Sequence, residues 1–238
     1  MEVRSGASDE SQVGQLVTVN GKRFQSTWGT EACNKLRGTD GALYSPFLTK
    51  ESEVNIFTPE LSRVLELEYD GQETFKNVPG YRFAPKKNTF APPSANGSNS
   101  CYCMEADKSA CEEQPNGLFS LSALRDGKLE DNFLNQEKVH NRICQRFYQI
   151  ILSGAPVFVS FPHFYEGDEF LNKQSGTKLP NKENDQLYIL VEPVNPKNLF
   201  KSSKLARKNY IFLENKFFSI FYRQREYFYQ LILEFKSI

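Results

Sequence analysis

Cys101-Tyr-Cys103-Met-Glu-Ala-Asp-Lys-Ser-Ala-Cys111, read together with the distant Cys33, is the stretch that decides the fold. In an extended chain Cys101 and Cys103 stand on one face with Cα atoms roughly 6.6 Å apart. That is near the upper limit for a disulfide between them, so the spacing favours a separate partner for each. The short loop to Cys111 offers one partner and Cys33 offers the other; the spacing leaves open which takes which. Paired cysteines imply an oxidising compartment, outside the cell or in the secretory or endolysosomal lumen. With 5 Cys in the chain, two bridges leave one thiol over.

The bulk composition suits a water-facing domain. The 238 residues are 39% hydrophobic, with a mean hydropathy of −0.54, enough for one large domain or two small ones. Lys+Arg and Asp+Glu balance at 29 each, so no global field draws nucleic acid or an anionic membrane. Met1 to Asn20 lacks a basic run followed by an apolar one, as a secretion leader would have. No stretch reaches about 18 consecutive apolar residues, the length a membrane span needs. Against the oxidised cysteines, these absences favour a piece of a longer chain that carries its targeting elsewhere.

Working outward, residues 1–15 are small and polar and are expected to be disordered. From Leu16 the text is strand-like, with a hairpin turn at Asn20-Gly21 and further turn signals at Asp40-Gly41 and Asp70-Gly71. Val54-Asn-Ile-Phe and Val64-Leu-Glu-Leu-Glu-Tyr alternate as half-buried strands do, and Pro92–Ser100 is a Pro/Ser/Asn/Gly-rich loop. Residues 127–153 change character: a helical spacing runs through Phe133, Val139, Ile143, Phe147 and Ile151. Strand text returns with Val157-Phe-Val-Ser-Phe161, which Pro162 ends. The tail after Pro196 is built from Phe, Lys, Asn, Ile and Tyr with no clean period. The turn spacing is that of a sandwich or a barrel, and the fold class expected is mainly β with short helices (α+β), antiparallel and barrel-like.

Several collinear motifs carry a resemblance. They run from Asn20-Gly21-Lys22-Arg23 and Trp28 through Cys33, Gly38-Thr39-Asp40-Gly41 and Phe57-Thr-Pro-Glu-Leu-Ser-Arg63. Val78-Pro79-Gly80-Tyr81-Arg82-Phe83, Cys101-Tyr-Cys103 with Cys111, and Gly117-Leu-Phe follow. Gly154-Ala-Pro-Val-Phe-Val-Ser-Phe-Pro-His-Phe164, Pro180-Asn181-Lys-Glu183, Tyr188 and Glu192-Pro193 close the series. With these the sequence resembles the class B scavenger receptor family, which includes the fatty acid translocase and lysosome membrane protein branches. The resemblance covers about two-thirds of the chain and matches the second half of that family's ectodomain. The family's two membrane helices, the first half of its ectodomain and its helical capture cap fall outside this sequence.

The resemblance implies disulfides Cys33–Cys101 and Cys103–Cys111; loop entropy makes the first worth roughly 4 kcal/mol and the second about 2–3. It also implies departures. A third family bridge would need cysteines at Ser62 and near Leu124, and neither is present. Asp185 stands where many members have His, and Leu190 where they have Asp. The ectodomain is expected in two parts, 16–126 and 154–196, because Arg125-Asp126 would join directly to Gly154-Ala155. The run 127–153 then reads as an insertion, a retained intron or another gene-model addition, and 197–238 as a divergent tail; the alternative is a lineage-specific helical insertion.

Few residues invite chemistry. Cys144 lies four residues after His140, on one face of a helix, but no second ligand pair or orienting group accompanies them, so neither a nucleophile nor a metal site is expected. His163, between Phe161 and Phe164, reads as a hydrogen-bonded core residue rather than a base. Gly38-Thr-Asp-Gly41 lacks the carboxylate spacing of a calcium loop and reads as a turn. Asn96-Gly97-Ser98 is a sequon for N-glycosylation, expected to be exposed and occupied in a lumenal domain.

The resemblance implies a receptor, not an enzyme, with no cofactor. Its partners would be lipids: fatty acids, sterol or lipoprotein, carried toward a membrane through an apolar tunnel. The expected setting is the plasma or lysosomal membrane, with this segment extracellular or lumenal. Tyr81, Phe83, Val157, Val159 and Phe161 are the expected tunnel-lining candidates. The alternative is a lysosomal membrane protein that docks and sorts a hydrolase.

Overall fold

The computed structural model describes residues 1–41, 43–75, 78–103, 108–121, 157–193, 218–224 and 227–233. In chain order they form β1 (Glu2–Val3), β2 (Leu16–Thr18), α1 (Glu31–Asn34), β3 (Val54–Thr58), β4 (Arg63–Phe75), β5 (Val78–Pro85) and α2 (Lys108–Glu112). There follow β6 (Phe119–Ser120), β7 (Val157–Ser160), α3 (Glu169–Ser175), α4 (Lys182–Asp185), β8 (Ile189–Val191), β9 (Phe218–Gln224) and β10 (Tyr227–Leu233). The strands pair antiparallel and the helices are short, so the chain is mainly β, as expected. It folds as two compact units that interleave in sequence.

The first unit is built from residues 1–25, 34–86 and 188–214. Its sheet has the order β3-β4-β5-β8. Alternation decides which side is buried. Val54, Leu67, Phe83, Ile189 and Val191 meet on one face with Tyr44, and Leu48, Ile56, Tyr69 and Tyr81 pack around them. The register brings Val54 opposite Leu67, Tyr69 opposite Phe83, and Phe83 opposite Ile189. Burial pushes the Tyr44 phenol above its ordinary range, with a smaller opposing pull from the nearby Thr39 side chain.

Two local expectations fare differently. The turn at Asn20-Gly21 forms: both residues have positive φ, 52° and 75°, and Val19 and Lys22 exchange backbone hydrogen bonds across it. Asp70-Gly71 does not turn the chain; β4 runs straight through it. The register shifts between Tyr69 and Gly71 instead, which leaves Asp70 as the extra residue of a β-bulge. Gly71 makes this possible with φ 143°, a conformation that disfavours a side chain.

Residues 1–15 also depart from the expected disorder. Glu2 and Val3 pair with β2, Arg4 N–H donates to the Gln15 carbonyl, and Gly14 N–H returns the bond to Arg4. Asp9 caps a single 3₁₀ turn at Glu10–Gln12. The segment needs no apolar residues for this because its backbone groups satisfy one another.

On the sheet's polar face Glu66 holds a charge network. It accepts from Arg37 and from Lys86, whose Nζ lies 3.1 Å away. Burial alone would raise the Glu66 carboxyl, but the Lys86 hydrogen bond and the Arg37 and Lys86 charges outweigh it, so it sits below the usual glutamate range. Lys86 is raised in turn, chiefly by its bond to Glu66. A depressed carboxyl contributes stability above its ordinary range and loses it as pH falls through the folded value. Glu66→Gln should therefore cost about 0.5–1 kcal/mol at neutral pH, the small figure reflecting solvent screening of an exposed network. The difference from the parent should shrink as pH falls below the ordinary glutamate range, as urea unfolding at pH 7 and in acid would read.

The second unit comprises residues 26–33, 87–187 and 215–238. Its sheet has the order β10-β9-β7-β6. β7 is therefore flanked on both sides, by β6 and β9, which suits its run of Val, Phe and Val. Pro162 then ends the strand and opens a 3₁₀ turn over Pro162–Phe164. The tail thus contributes two strands, β9 and β10, where no period was legible. The helical spacing expected over 127–153, with His140 and Cys144, lies outside the described residues, as does the partner position near Leu124. Ser62 occupies a left-handed position after the Pro59–Leu61 turn.

Candidate functional site

The cysteines are the first feature the second unit builds around. Cys33 is bonded to Cys101 and Cys103 to Cys111, with Cα separations of 5.8 Å and 5.7 Å. These are the two pairs the resemblance implies. Cys101 rides on a 3₁₀ helix over Gly97–Tyr102, and Cys111 on α2. Cys33 sits in α1, just after Trp28, whose ring meets Tyr102 edge-on at 5.1 Å and leans on Phe119 at 5.7 Å. The bridge and the aromatic cluster hold the same crossing segment.

The five apolar candidates divide between the units. Tyr81 and Phe83 belong to the first, on one face of β5; Val157, Val159 and Phe161 belong to the second, on one face of β7 and its continuation. Phe83 and Val159 are 0% exposed, and Val157 and Phe161 are each 3% exposed, so four of the five are sealed among protein side chains. Phe161 lies 4.7 Å from the ring of Phe90, which stacks on Phe119. Tyr81 alone is half-buried, with its ring edge-on to Tyr69, which in turn meets Phe83 edge-on.

Between Tyr81 and Phe83, Arg82 points to the opposite face. Its guanidinium pairs with Asp70, 3.1 Å away, and Glu73, 3.5 Å away, and lies 3.8 Å above the ring of Tyr188. The bulge that displaces Asp70 is what brings its carboxylate to Arg82. One step earlier, Gly80 lies against β8. A Cβ there would come within 2.8 Å of Leu190 Cγ and 3.3 Å of the Val191 carbonyl. Gly80→Ala should thus destabilise this unit by about 1–3 kcal/mol by overpacking, read as a lower urea midpoint with the slope unchanged.

His163 is hydrogen-bonded, as expected. Its Nδ1 lies 2.8 Å from Oδ1 of Asp185, a carboxylate with no exposed surface. Asp185 Oδ2 accepts from the Asn181 backbone N–H at 2.9 Å, and Lys178 Nζ stands 3.8 Å from Oδ1. His163 holds a positive φ of 50°, followed by Phe164 at 55° and Glu166 at 61°. Such a run persists only where neighbours over-determine it. Here Asn172 donates to the His163 carbonyl, and Asn116 donates to that of Glu166.

Sequence reasoning missed these asparagines. Asn172 Nδ2 bonds the His163 and Lys178 carbonyls and Thr177 Oγ1; Asn99 Nδ2 reaches the carbonyls of Asn88, Thr89 and Ala91. Both are buried, at 2% and 6% exposure. An asparagine amid apolar text signals a turn or a brace alike, and only distant carbonyls tell which. Asn96 is likewise less exposed than its loop suggested: it is half-buried, and its Oδ1 accepts from Ser98 N–H to cap the 3₁₀ helix. Gly38-Thr-Asp-Gly41 is not the turn expected: Thr39 bridges Gln15 and Ile56, its N–H donating to the Asn55 carbonyl and its carbonyl accepting from Phe57 N–H. The chain bends on either side of it, with Gly41 N–H donating to Thr39 Oγ1 at 3.1 Å.

Among the described residues no helix is long and apolar enough to cross a membrane. The sequence profile of the CD36 family matches residues 1–134 and 139–199. The match therefore runs through most of 127–153 and stops short of β9 and β10. Scavenger receptor class B member 1 of Mus musculus is 28% identical over 209 residues, covering 88% of this chain and 34% of the relative. The same protein of Sus scrofa is 28% identical over 211 residues, with the same shares. Sensory neuron membrane protein 2 of Manduca sexta is 29% identical over 197 residues, 81% of this chain and 33% of the relative. The chain spans about a third of the length of these curated relatives. With both bridges formed on a mainly antiparallel scaffold and the profile matched over most of its length, the chain belongs to the CD36 family of scavenger receptor proteins.

Proposed function

We propose that this chain forms part of the extracellular or lumenal portion of a membrane receptor that binds lipid or lipoprotein and passes lipid toward the membrane along an apolar path. The observation that carries the reading is the family match over residues 1–134 and 139–199, which includes all four bridged cysteines. Two disulfides suit the oxidising side of a membrane. A lipid chain gains about 0.8 kcal/mol for each CH₂ leaving water, so such a path needs apolar walls and no bond-making. In the first unit Tyr81, with Tyr69 beside it, keeps accessible aromatic surface for such a ligand and Phe83 is packed in the core; in the second unit Val157, Val159 and Phe161 are packed core residues.

The test is lipid recovery. The full-length gene product, purified from eukaryotic cells, should release fatty acid or sterol on extraction and bind lipoprotein saturably. Tyr81→Glu should reduce the recovered lipid by more than about tenfold, since it places a charge on the apolar surface at a cost above about 1.4 kcal/mol. Preparations that carry no lipid and bind no lipoprotein, but capture a hydrolase, would favour a docking and sorting receptor instead.

A further inference from the structure

The loop that carries the sequon also carries one end of the long disulfide, and the two features compete for the same backbone. Asn96 Nδ2 donates to the Asn88 carbonyl at 3.1 Å, while its Oδ1 accepts from Ser98 N–H. Three residues on, Asn99 is locked to the carbonyls of Asn88, Thr89 and Ala91. The 3₁₀ helix that Asn96 caps delivers Cys101 to Cys33. Once this loop has closed, the acceptor amide is half-buried and held at both of its polar atoms. The surroundings nonetheless have room for a sugar: Ser94, Ala95, Gly97 and Ser98 are exposed, and nothing lies within 4 Å of a Cβ placed at Gly97.

We propose that Asn96 carries an N-linked glycan and that the glycan is added before the Cys33–Cys101 bridge closes. The proposal rests on the lumenal placement argued above. The amide nitrogen attacks the anomeric carbon of a polyprenyl-diphosphate-linked oligosaccharide. A C–N bond forms as the anomeric C–O bond breaks, the lipid diphosphate leaves with the bonding pair, and the amide gives one proton to a base. That attack requires an amide free to leave its two hydrogen bonds, which the nascent chain offers and the closed loop does not. The product amide keeps one N–H, so the bond to Asn88 can re-form beneath the sugar.

The full-length chain would be pulse-labelled in eukaryotic cells with free thiols alkylated at each time point. Sugar at Asn96 and linkage of Cys33 to Cys101 would then be read on the same molecules by mass spectrometry. Sugar should appear on chains whose Cys33 is still free, and chains that are bridged but bare should gain none in the chase. Cys33→Ser chains should reach an occupied fraction no lower than the parent's. Ser98→Ala should abolish the sugar yet keep the cap, since the cap uses the residue-98 backbone N–H; Asn96→Gln should lose both and unfold at lower urea. Bridged chains that remain bare throughout, bridged chains that acquire sugar as fast as reduced ones, or a fall in occupancy in Cys33→Ser, would each overturn the proposal. Free thiols and no sugar throughout would remove the lumenal placement itself, whereas bridged, bare chains would remove this proposal alone.

Discussion

Replacing Cys33 and Cys101 together with serine should lower stability by about 4 kcal/mol. The bridge spans 68 residues of sequence, and closing a loop of that size removes conformational entropy from the unfolded chain worth roughly that amount. The same double substitution at Cys103 and Cys111, separated by 8 residues, should cost about 2–3 kcal/mol. The longer bridge has a second effect that entropy does not count. It anchors the segment over residues 26–33, both of whose flanks belong to the other unit, so Trp28 loses its tether along with the bond. Urea unfolding followed by Trp28 fluorescence reads both effects, since this is the sole tryptophan of the chain. Equal losses for the two bridges would contradict the loop argument. An early fluorescence transition in the Cys33 variant, preceding loss of β signal, would confirm local release of the segment.

What the sequence made legible was whatever depends on neighbours along the chain. Asn20-Gly21 turned as read, because both residues tolerate positive φ and the strands on either side are adjacent. Asp70-Gly71 offered the same local signal and did not turn, because its conformation is decided across the sheet by β5, where Arg82 draws Asp70 into an ion pair. Val157-Phe-Val-Ser-Phe161 formed a strand that Pro162 ended, as read, whereas Phe83, Val157 and Val159, read only as tunnel-lining candidates, are packed in the cores of their own units. The links that fix the candidate site were not legible. His163 finds Asp185 across 22 residues, and Asn116 finds Glu166 across 50. Nor did the polar text of residues 1–15 reveal that its backbone groups pair among themselves. Composition reports apolar burial well and backbone satisfaction poorly, so a strand held mainly by hydrogen bonds reads as disorder.

Asp185→Ala should destabilise the second unit by about 3 kcal/mol, a larger loss than any exposed charge could produce. The carboxylate has no exposed surface, and it satisfies two groups that have to be satisfied: the His163 imidazole and the Asn181 backbone N–H that begins α4. Removing it strands both donors, and breaking a buried pair from one side costs about 3–5 kcal/mol. His163 is 19% exposed and Lys178 56%, so both can recover some hydration, which places the expected figure at the lower end. His163→Asn approaches the pair from the other side. Asparagine accepts the left-handed backbone at this position, so the substitution removes the imidazole without adding strain. It should cost less, about 1–2 kcal/mol, because Asp185 keeps its bond from Asn181 and the Lys178 charge. If the two side chains act as a pair, the double variant should fall well short of the sum, with a coupling of at least 1 kcal/mol. Additive losses in that cycle would mean that Asp185 serves α4 alone. Coupled losses would mean that the carboxylate also holds the strained run His163 to Glu166 in place.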